Sequence, residues 1–167
     1  HQYDAPPNSV NASYNTHYQS HKGFLYYFSD EEKSLLKDMT LTLANNTETD
    51  GGGSYTWTGK VWLPTHTQVG YGTNNSISEG SAFDKYIDSN SDRVKTINKY
   101  CAENNPYCNY YNKTEGTKWK YWMSSASASS SYKAWCVEDD NKYSGGIAPS
   151  YFGLFGLAPC IRLPLHA

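Results

Sequence analysis

Apolar residues between Lys118 and Leu163 come in short alternating runs, each stopped by glycine, proline or serine before a helical period can establish itself. An amphipathic helix needs a period of about 3.6 residues sustained over about ten residues, whereas a half-buried strand needs only a period of about two over a few. This third of the chain is therefore restricted to strands and turns. Lys118-Trp119-Lys120-Tyr121-Trp122-Met123 alternates charged and aromatic residues and predicts a strand with one buried face. Tyr132 to Glu138 predicts a second strand, Asp139-Asp140-Asn141 a turn, Tyr143 to Ile147 a third strand weakened by Gly145-Gly146, and Cys160 to Leu163 the last. Strands in that order predict an antiparallel meander. The most apolar stretch, Ile147 to Leu165, is interrupted by Pro149, Gly153, Gly156, Pro159, Arg162 and Pro164, which argues against membrane insertion.

The first half carries the helical signals. Residues 1–22 show no periodicity and predict loop. Ser29-Asp30-Glu31-Glu32 matches a capping box, with Phe28 as the staple residue and Leu35, Leu36 and Met39 as one apolar face. Thr40 to Leu43 alternates as a strand, Asp50-Gly51-Gly52-Gly53 predicts a flexible turn, and Tyr55 to Thr58 and Lys60 to Leu63 are short strands. Ser81 to Ile87 predicts a second helix, and Arg93 to Tyr100 extends helically. The expected architecture is a single α+β domain over residues 1–167, two helices packed on a twisted antiparallel sheet. Ser124 to Ser131 holds six serines in eight positions, a stretch too polar to pack alone.

The formal charge of −2 comes without any block of like charge, so nucleic acid is not an expected partner. Aromatic residues make up 16% of the chain against 18% charged. Tyrosine, serine, glycine and asparagine together form the palette of binding loops, because tyrosine gives contact area at low entropy cost. β-rich chains are also aromatic and threonine-rich, and composition alone leaves the two readings level. Cys101, Cys108, Cys136 and Cys160 show no CxxC spacing and no nearby histidine, which argues against zinc. Cys101 and Cys108 can close a short disulfide loop in an exported protein, while Cys136 and Cys160, in apolar surroundings, are expected to be buried thiols.

Three segments carry a resemblance: Phe24-Leu25 with Phe28-Ser29-Asp30-Glu31-Glu32-Lys33; Asp50-Gly51-Gly52-Gly53-Ser54 with Thr58-Gly59-Lys60-Val61-Trp62-Leu63-Pro64; and Asn75-Ser76-Ile77-Ser78-Glu79-Gly80-Ser81. Tyr121-Trp122-Met123-Ser124-Ser125 and Gly156-Leu157-Ala158-Pro159-Cys160-Ile161-Arg162-Leu163 resemble a terminal "WLRSP … GVRPAL" pattern. Together they resemble a domain of unknown function common in Gram-positive gut bacteria and their phages. The resemblance implies a C-type-lectin-like fold related to the formylglycine-generating-enzyme branch, some members of which are diversified at their C-terminal stretch by diversity-generating retroelements. Trp122-Met123-Ser124-Ser125 lacks the arginine and proline of the "WLRSP" segment, and Ala158 replaces the arginine of "GVRP", so an ion pair of the family is expected to be missing. With no "RKWLN"-like helix upstream, the domain is expected to be truncated at its N-terminus.

The resemblance implies a variable ligand-binding surface on the C-terminal hairpin. Its candidate residues are Ser127, Ser129, Ser130, Ser131, Tyr132, Lys133 and Trp135 on the first arm. Glu138, Asp140, Tyr143, Ser144, Tyr151, Phe152 and Phe155 follow on the turn and second arm. Strand alternation buries about half of the aromatic residues among them, and which half faces outward depends on register. The expected partner is a protein or glycan on a cell surface, and the expected location a phage tail or a bacterial surface, with a receptor-binding or adhesion role. No catalytic residue, metal or cofactor is expected. His1, His17, His21, His66 and His166 sit in no triad motif, Glu138-Asp139-Asp140-Asn141 lacks calcium-loop spacing, and the EPN, QPD and WND sugar triplets are absent. The alternatives are an enzyme or enzyme relic of the formylglycine-generating branch, working through Cys136 and Cys160, or a structural module of a cell-wall protein.

Overall fold

The computed structural model describes residues 25, 28–84, 90–104, 108, 110, 112–127, 130, 133–139, 148–149 and 155–165. The expected loop at 1–22 and strand at 143–147 lie outside them. The chain is α+β, with short helices and small antiparallel sheets. Its contacts divide it into two compact units: the described parts of His1–Thr40, Thr58–Trp62 and Pro159–Ala167, and those of Leu41–Trp57 and Leu63–Ala158. Strands β1 (Met39–Ala44) and β2 (Ser54–Gly59) pair with each other and supply residues to both.

In the first unit, helix α1 (Asp30–Leu35) begins where the capping box predicts. Ser29 Oγ accepts from the Glu32 amide at 3.1 Å, and the Glu32 carboxylate accepts from the Ser29 amide at 2.7 Å. The expected apolar face does not form: Leu35 is exposed, Leu36 turns extended as the C-cap and is buried, and Met39 already belongs to β1. Strand β3 (Val61–Trp62) pairs antiparallel with β9 (Cys160–Ile161), Trp62 opposite Cys160. The last strand therefore leaves the expected meander, because its partner comes from the middle of the chain. Lys37 extends this pairing by donating its amide to the Arg162 carbonyl at 2.9 Å.

In the second unit, Asn46 caps a one-turn helix α2 (Thr47–Asp50) ahead of the glycine turn. The helix expected over Arg93 to Tyr100 is interrupted, because residues 94–98 are not helical. A 3-10 turn at Asn90–Arg93 precedes β4 (Lys95–Thr96), and α3 (Lys99–Asn104) starts only after Asn98, whose side chain accepts from the Cys101 amide. Of the helix expected from Ser81 to Ile87, Ser81, Ala82 and Phe83 are not helical, Asp84 is, and 85–87 lie outside the described residues. The alternating run at 118–123 splits at Lys120: β5 (Lys118–Trp119) pairs with β4, and β6 (Tyr121–Ala126) pairs with β7 (Lys133–Val137). Strand β8 (Ala148–Pro149) completes β6-β7-β8, the part of the meander that forms.

Both faces of the β6-β7 pair are covered. Trp122, Ala134 and Cys136 pack with Leu63 and Phe155 on one side. Tyr121, Met123 and Val137 pack with Val69, Tyr71, Trp135 and Ala158 on the other. Period-two alternation thus holds along the strands, but the run at 118–123 lacks the single buried face expected of it, since Tyr121, Trp122 and Met123 are all buried.

Candidate functional site

The register of β6 against β7 shifts between Trp122 and Ala126. The irregularity lets Ser125 turn its hydroxyl inward, where Oγ donates to Glu79 Oε1 at 2.5 Å and accepts from the His66 amide at 2.8 Å. Glu79 is fully buried, and its second carboxylate oxygen accepts from the Ala44 amide at 3.0 Å. The Asn74 amide, beside this carboxylate, donates to the Ala126 carbonyl at 3.0 Å. Burial pushes the Glu79 carboxyl above its ordinary value, partly offset by the hydrogen bonds from Ser125 and Ala44 and by the neighbouring Asn74 side chain.

A tight loop wraps this carboxylate. Thr65 Oγ1 donates to the Glu79 carbonyl, and the Glu79 amide donates to Thr67 Oγ1 at 2.8 Å. Gly80 follows at φ +97°, and a Cβ there would meet Leu41 Cδ2 at 3.0 Å, so only glycine fits. Asn74 is held by a two-residue turn in which Asn74 and Ile77 exchange backbone hydrogen bonds of 2.9 Å each. Its central residues, Asn75 and Ser76, take φ of 48° and 65°. Left-handed backbone at two non-glycine residues costs about 1 kcal/mol or more each, and persists where surrounding bonds over-determine it.

The network ends at an aromatic group. The Trp135 indole N–H donates to Asn74 Oδ1 at 3.1 Å, and the ring centroid lies 5.1 Å from that of His66. His66 lies 5.7 Å from Tyr71, over which the Arg93 guanidinium sits at 4.8 Å. Trp135 and Tyr71 are half-buried, whereas His66 is buried. His66 Nδ1 lies 3.1 Å from the Gly72 carbonyl, which can only accept, so Nδ1 carries the proton; burial lowers the ring's pKa and favours the neutral form.

The candidate hairpin residues are divided by their surroundings. Ser127 and Ser130 are buried and do not belong to an outward face. The physical reason is Asn46, whose Nδ2 donates to both the Ser127 and Ser130 carbonyls at 2.7 Å while its Oδ1 accepts from the Glu48 and Thr49 amides. The serine-rich stretch is polar, yet it packs because a neighbouring amide satisfies its backbone. Lys133 and Trp135 are half-buried on one side of β7. Glu138 pairs with Lys120 at 2.6 Å, and Phe155 stacks on Trp122 with centroids 4.7 Å apart. Ser129, Ser131, Tyr132, Asp140, Tyr143, Ser144, Tyr151 and Phe152 lie outside the described residues.

The cysteines form no disulfide, so the expected Cys101 to Cys108 loop is not closed by one. Burial, with Cys101 nearby, raises the Cys108 thiol's pKa. Cys136 is fully buried and its thiol is pushed up to about 12, mainly by that burial; Cys160 is only half-buried. A separate open groove of about 470 Å³, lined by Lys99, Glu103, Cys108, Lys113 and Glu115 among others, contains none of the candidate residues. Among the described residues, no group of three His, Cys, Asp or Glu side chains is placed to hold a metal ion, and no helix is long and apolar enough to cross a membrane.

Glu79, Asn74, His66 and Tyr71 were not singled out by sequence as a binding group. The only available signal was that Glu79 and the Asn75-Ser76 turn fall inside one of the segments carrying the family resemblance. Comparison with curated proteins and with solved structures returns no match. A family model described as "Domain of unknown function (DUF6273)" matches residues 11–165. That span takes in both compact units, the buried carboxylate and the nearby aromatic group, and the chain belongs to the DUF6273 family.

Proposed function

We propose that this chain is a ligand-binding module, with a receptor-binding or adhesion role on a phage tail or a bacterial surface, that takes a protein or cell-surface glycan on the Trp135 side of its C-terminal hairpin. The observation that carries this reading is the fixed, half-buried indole: its N–H is bonded to Asn74, and its ring rests against His66 beside Tyr71. Aromatic anchors held in one rotamer lose little entropy on binding and supply much of the binding energy at contact surfaces. The proposed fold is C-type-lectin-like, and the antiparallel β6-β7-β8 sheet is consistent with it. Diversification by a retroelement remains part of the proposal, and calls for a template repeat and a reverse transcriptase beside the gene, with differences confined to adenine positions between Ser124 and Phe155. If neither is present, that part falls.

Redox chemistry of the formylglycine-generating kind is the second reading, and it needs an accessible thiolate. Cys136 is fully buried with its thiol pushed up to about 12, which favours binding over chemistry. The decisive experiment is a glycan and surface-protein array probed with the protein and with Trp135→Ala. Loss of signal by at least about tenfold supports the reading, since truncating a central aromatic anchor typically costs more than about 1 kcal/mol. An array signal that Trp135→Ala leaves unchanged overturns it.

A further inference from the structure

The turn that presents Asn74 is more strained than holding Asn74 requires. Asn74 and Ile77 close it by exchanging backbone hydrogen bonds, and its two central residues, Asn75 and Ser76, both take left-handed backbone, at φ of 48° and 65°. Asn-Gly meets that demand at least cost, asparagine first and glycine second. Asn75 is thus the favoured residue at its position, whereas Ser76 stands where glycine would relieve strain. Both residues are exposed, and among the described residues neither side chain has a hydrogen-bond partner, so no internal contact accounts for the serine. They follow directly on Asn74, whose Oδ1 accepts from the Trp135 indole and whose Nδ2 donates to the Ala126 carbonyl. The turn is therefore fixed beside the Trp135 face. Its exposed neighbours, Gly72, Thr73 and Ser78, add hydroxyls and no charge.

We infer that the 74–77 turn is the second half of the Trp135 binding face, and that the two together take a neutral glycan. A sugar ring lies against the exposed part of the indole, while the Asn75 amide and the Ser76 hydroxyl bond its hydroxyls. This deepens the binding reading of Trp135, names its ligand class and rests on it. A pyranose has an apolar C–H face suited to an aromatic ring, and a rim of hydroxyls that each donate and accept. An amide and a hydroxyl also do both, so the two side chains match that rim without charge. An acidic sugar would call for a cation at the turn, and residues 72–78 carry none. A protein partner would engage apolar side chains, yet Ile77, the one apolar residue of that segment, is half-buried. Serine in place of glycine then gives the strain a use, since a preset hydroxyl loses little freedom when the sugar arrives.

Strain retained for binding makes stability and affinity move in opposite directions, and Ser76→Gly tests this in the whole chain. It creates the favoured Asn-Gly turn, so the melting temperature is expected to rise by about 1–4 °C. On an array of neutral oligosaccharides, acidic oligosaccharides and surface proteins, the same variant is expected to bind neutral oligosaccharides about fivefold more weakly, the loss of one uncharged hydrogen bond. Asn75→Gly, which keeps the left-handed backbone and removes the amide, should weaken the same spots by a similar factor. The Trp135 indole N–H resonance, identified in a nitrogen-15-labelled sample by its loss in Trp135→Phe, is expected to stay in place in both glycine variants. A lost contact is thereby separated from a loosened Trp135. A melting temperature that does not rise in Ser76→Gly, a displaced indole resonance, neutral-sugar binding equal to wild type in both variants, or a Trp135-dependent signal confined to acidic sugars or proteins overturns the inference. Binding that needs Trp135 but neither turn residue removes this inference alone, whereas a signal that Trp135→Ala leaves unchanged removes the binding reading and this inference with it.

Discussion

Asn46 offers the sharpest test of what holds the second unit together, because one buried amide performs two separable tasks. Its Oδ1 caps α2 by accepting from the Glu48 and Thr49 amides at 2.8 and 3.2 Å. Its Nδ2 donates to the Ser127 and Ser130 carbonyls, more than eighty residues along the chain. Replacing an N-cap by alanine costs about 1 kcal/mol. Depriving buried carbonyls of a donor costs about 1–3 kcal/mol for each left without a partner. Ser130 O also accepts from the Lys133 amide at 3.3 Å, so Ser127 O bears most of that loss. Asn46→Ala is therefore expected to cost about 2–4 kcal/mol, a large share of a total stability of about 5–15 kcal/mol. Asn46→Ser keeps a capping oxygen and loses the donors, so it should recover only the cap, about 1 kcal/mol. Asn46→Asp also keeps the cap but turns a negative oxygen on two carbonyls, and it should be the least stable of the three at neutral pH, recovering as acid protonates it. Urea unfolding monitored by tryptophan fluorescence ranks them by midpoint at constant slope. An Asn46→Ser protein as stable as wild type, or Asp and Ala variants of equal stability, would refute the assignment of Nδ2 to the serine carbonyls.

Three further expectations use the same interior. Gly80→Ala, at φ +97° with Leu41 Cδ2 3.0 Å from the new Cβ, should destabilise by about 2 kcal/mol or more, and a wild-type melting temperature would contradict that geometry. Because burial raises the folded-state pKa of Glu79, its contribution to stability is fully present below the unfolded value and is lost as pH rises through the folded one. Denaturant midpoints of wild type should therefore decline over that window relative to Glu79→Gln, and parallel pH profiles would refute the shift. Cys136 should resist alkylation in the native protein and react on unfolding; rapid native-state labelling at Cys136, located by peptide mass, would reopen the redox reading.

What the sequence disclosed depended on the distance over which each signal acts. The capping box is legible because Ser29 and Glu32 sit three residues apart, and the helix starts where they place it. The strand at 118–123 was legible as extended backbone, but the break at Lys120 was not, since it follows from β4 and β7 competing as partners on different segments. Leu35 reads as a core position from local period alone, yet it is exposed because the chain turns extended one residue later. The serine run misled for the opposite reason: its polarity is real, and its burial is licensed by Asn46, whose role no local pattern reveals. Glu79 was hidden by the same effect, lying in a polar string that resembles a helix leader while its partners come from β1, the 74–77 turn and β6.

The two apolar clusters are small, each with four buried residues, and neither includes Glu79, Asn74 or Asn46. Apolar contacts are tolerant of direction, so clusters of this size specify that β6 and β7 pack but only loosely how a side chain at their margin is turned. Amides and carboxylates are intolerant of direction, since exchanging a donor for an acceptor changes a bond into a repulsion. Placing Asn74 between the Ala126 carbonyl and the Trp135 indole therefore converts a loosely held aromatic ring into one with a fixed orientation. It also locates the strain sensibly: the left-handed residues Asn75 and Ser76 lie at the turn that presents Asn74, the position where an error in direction would be felt furthest along the network.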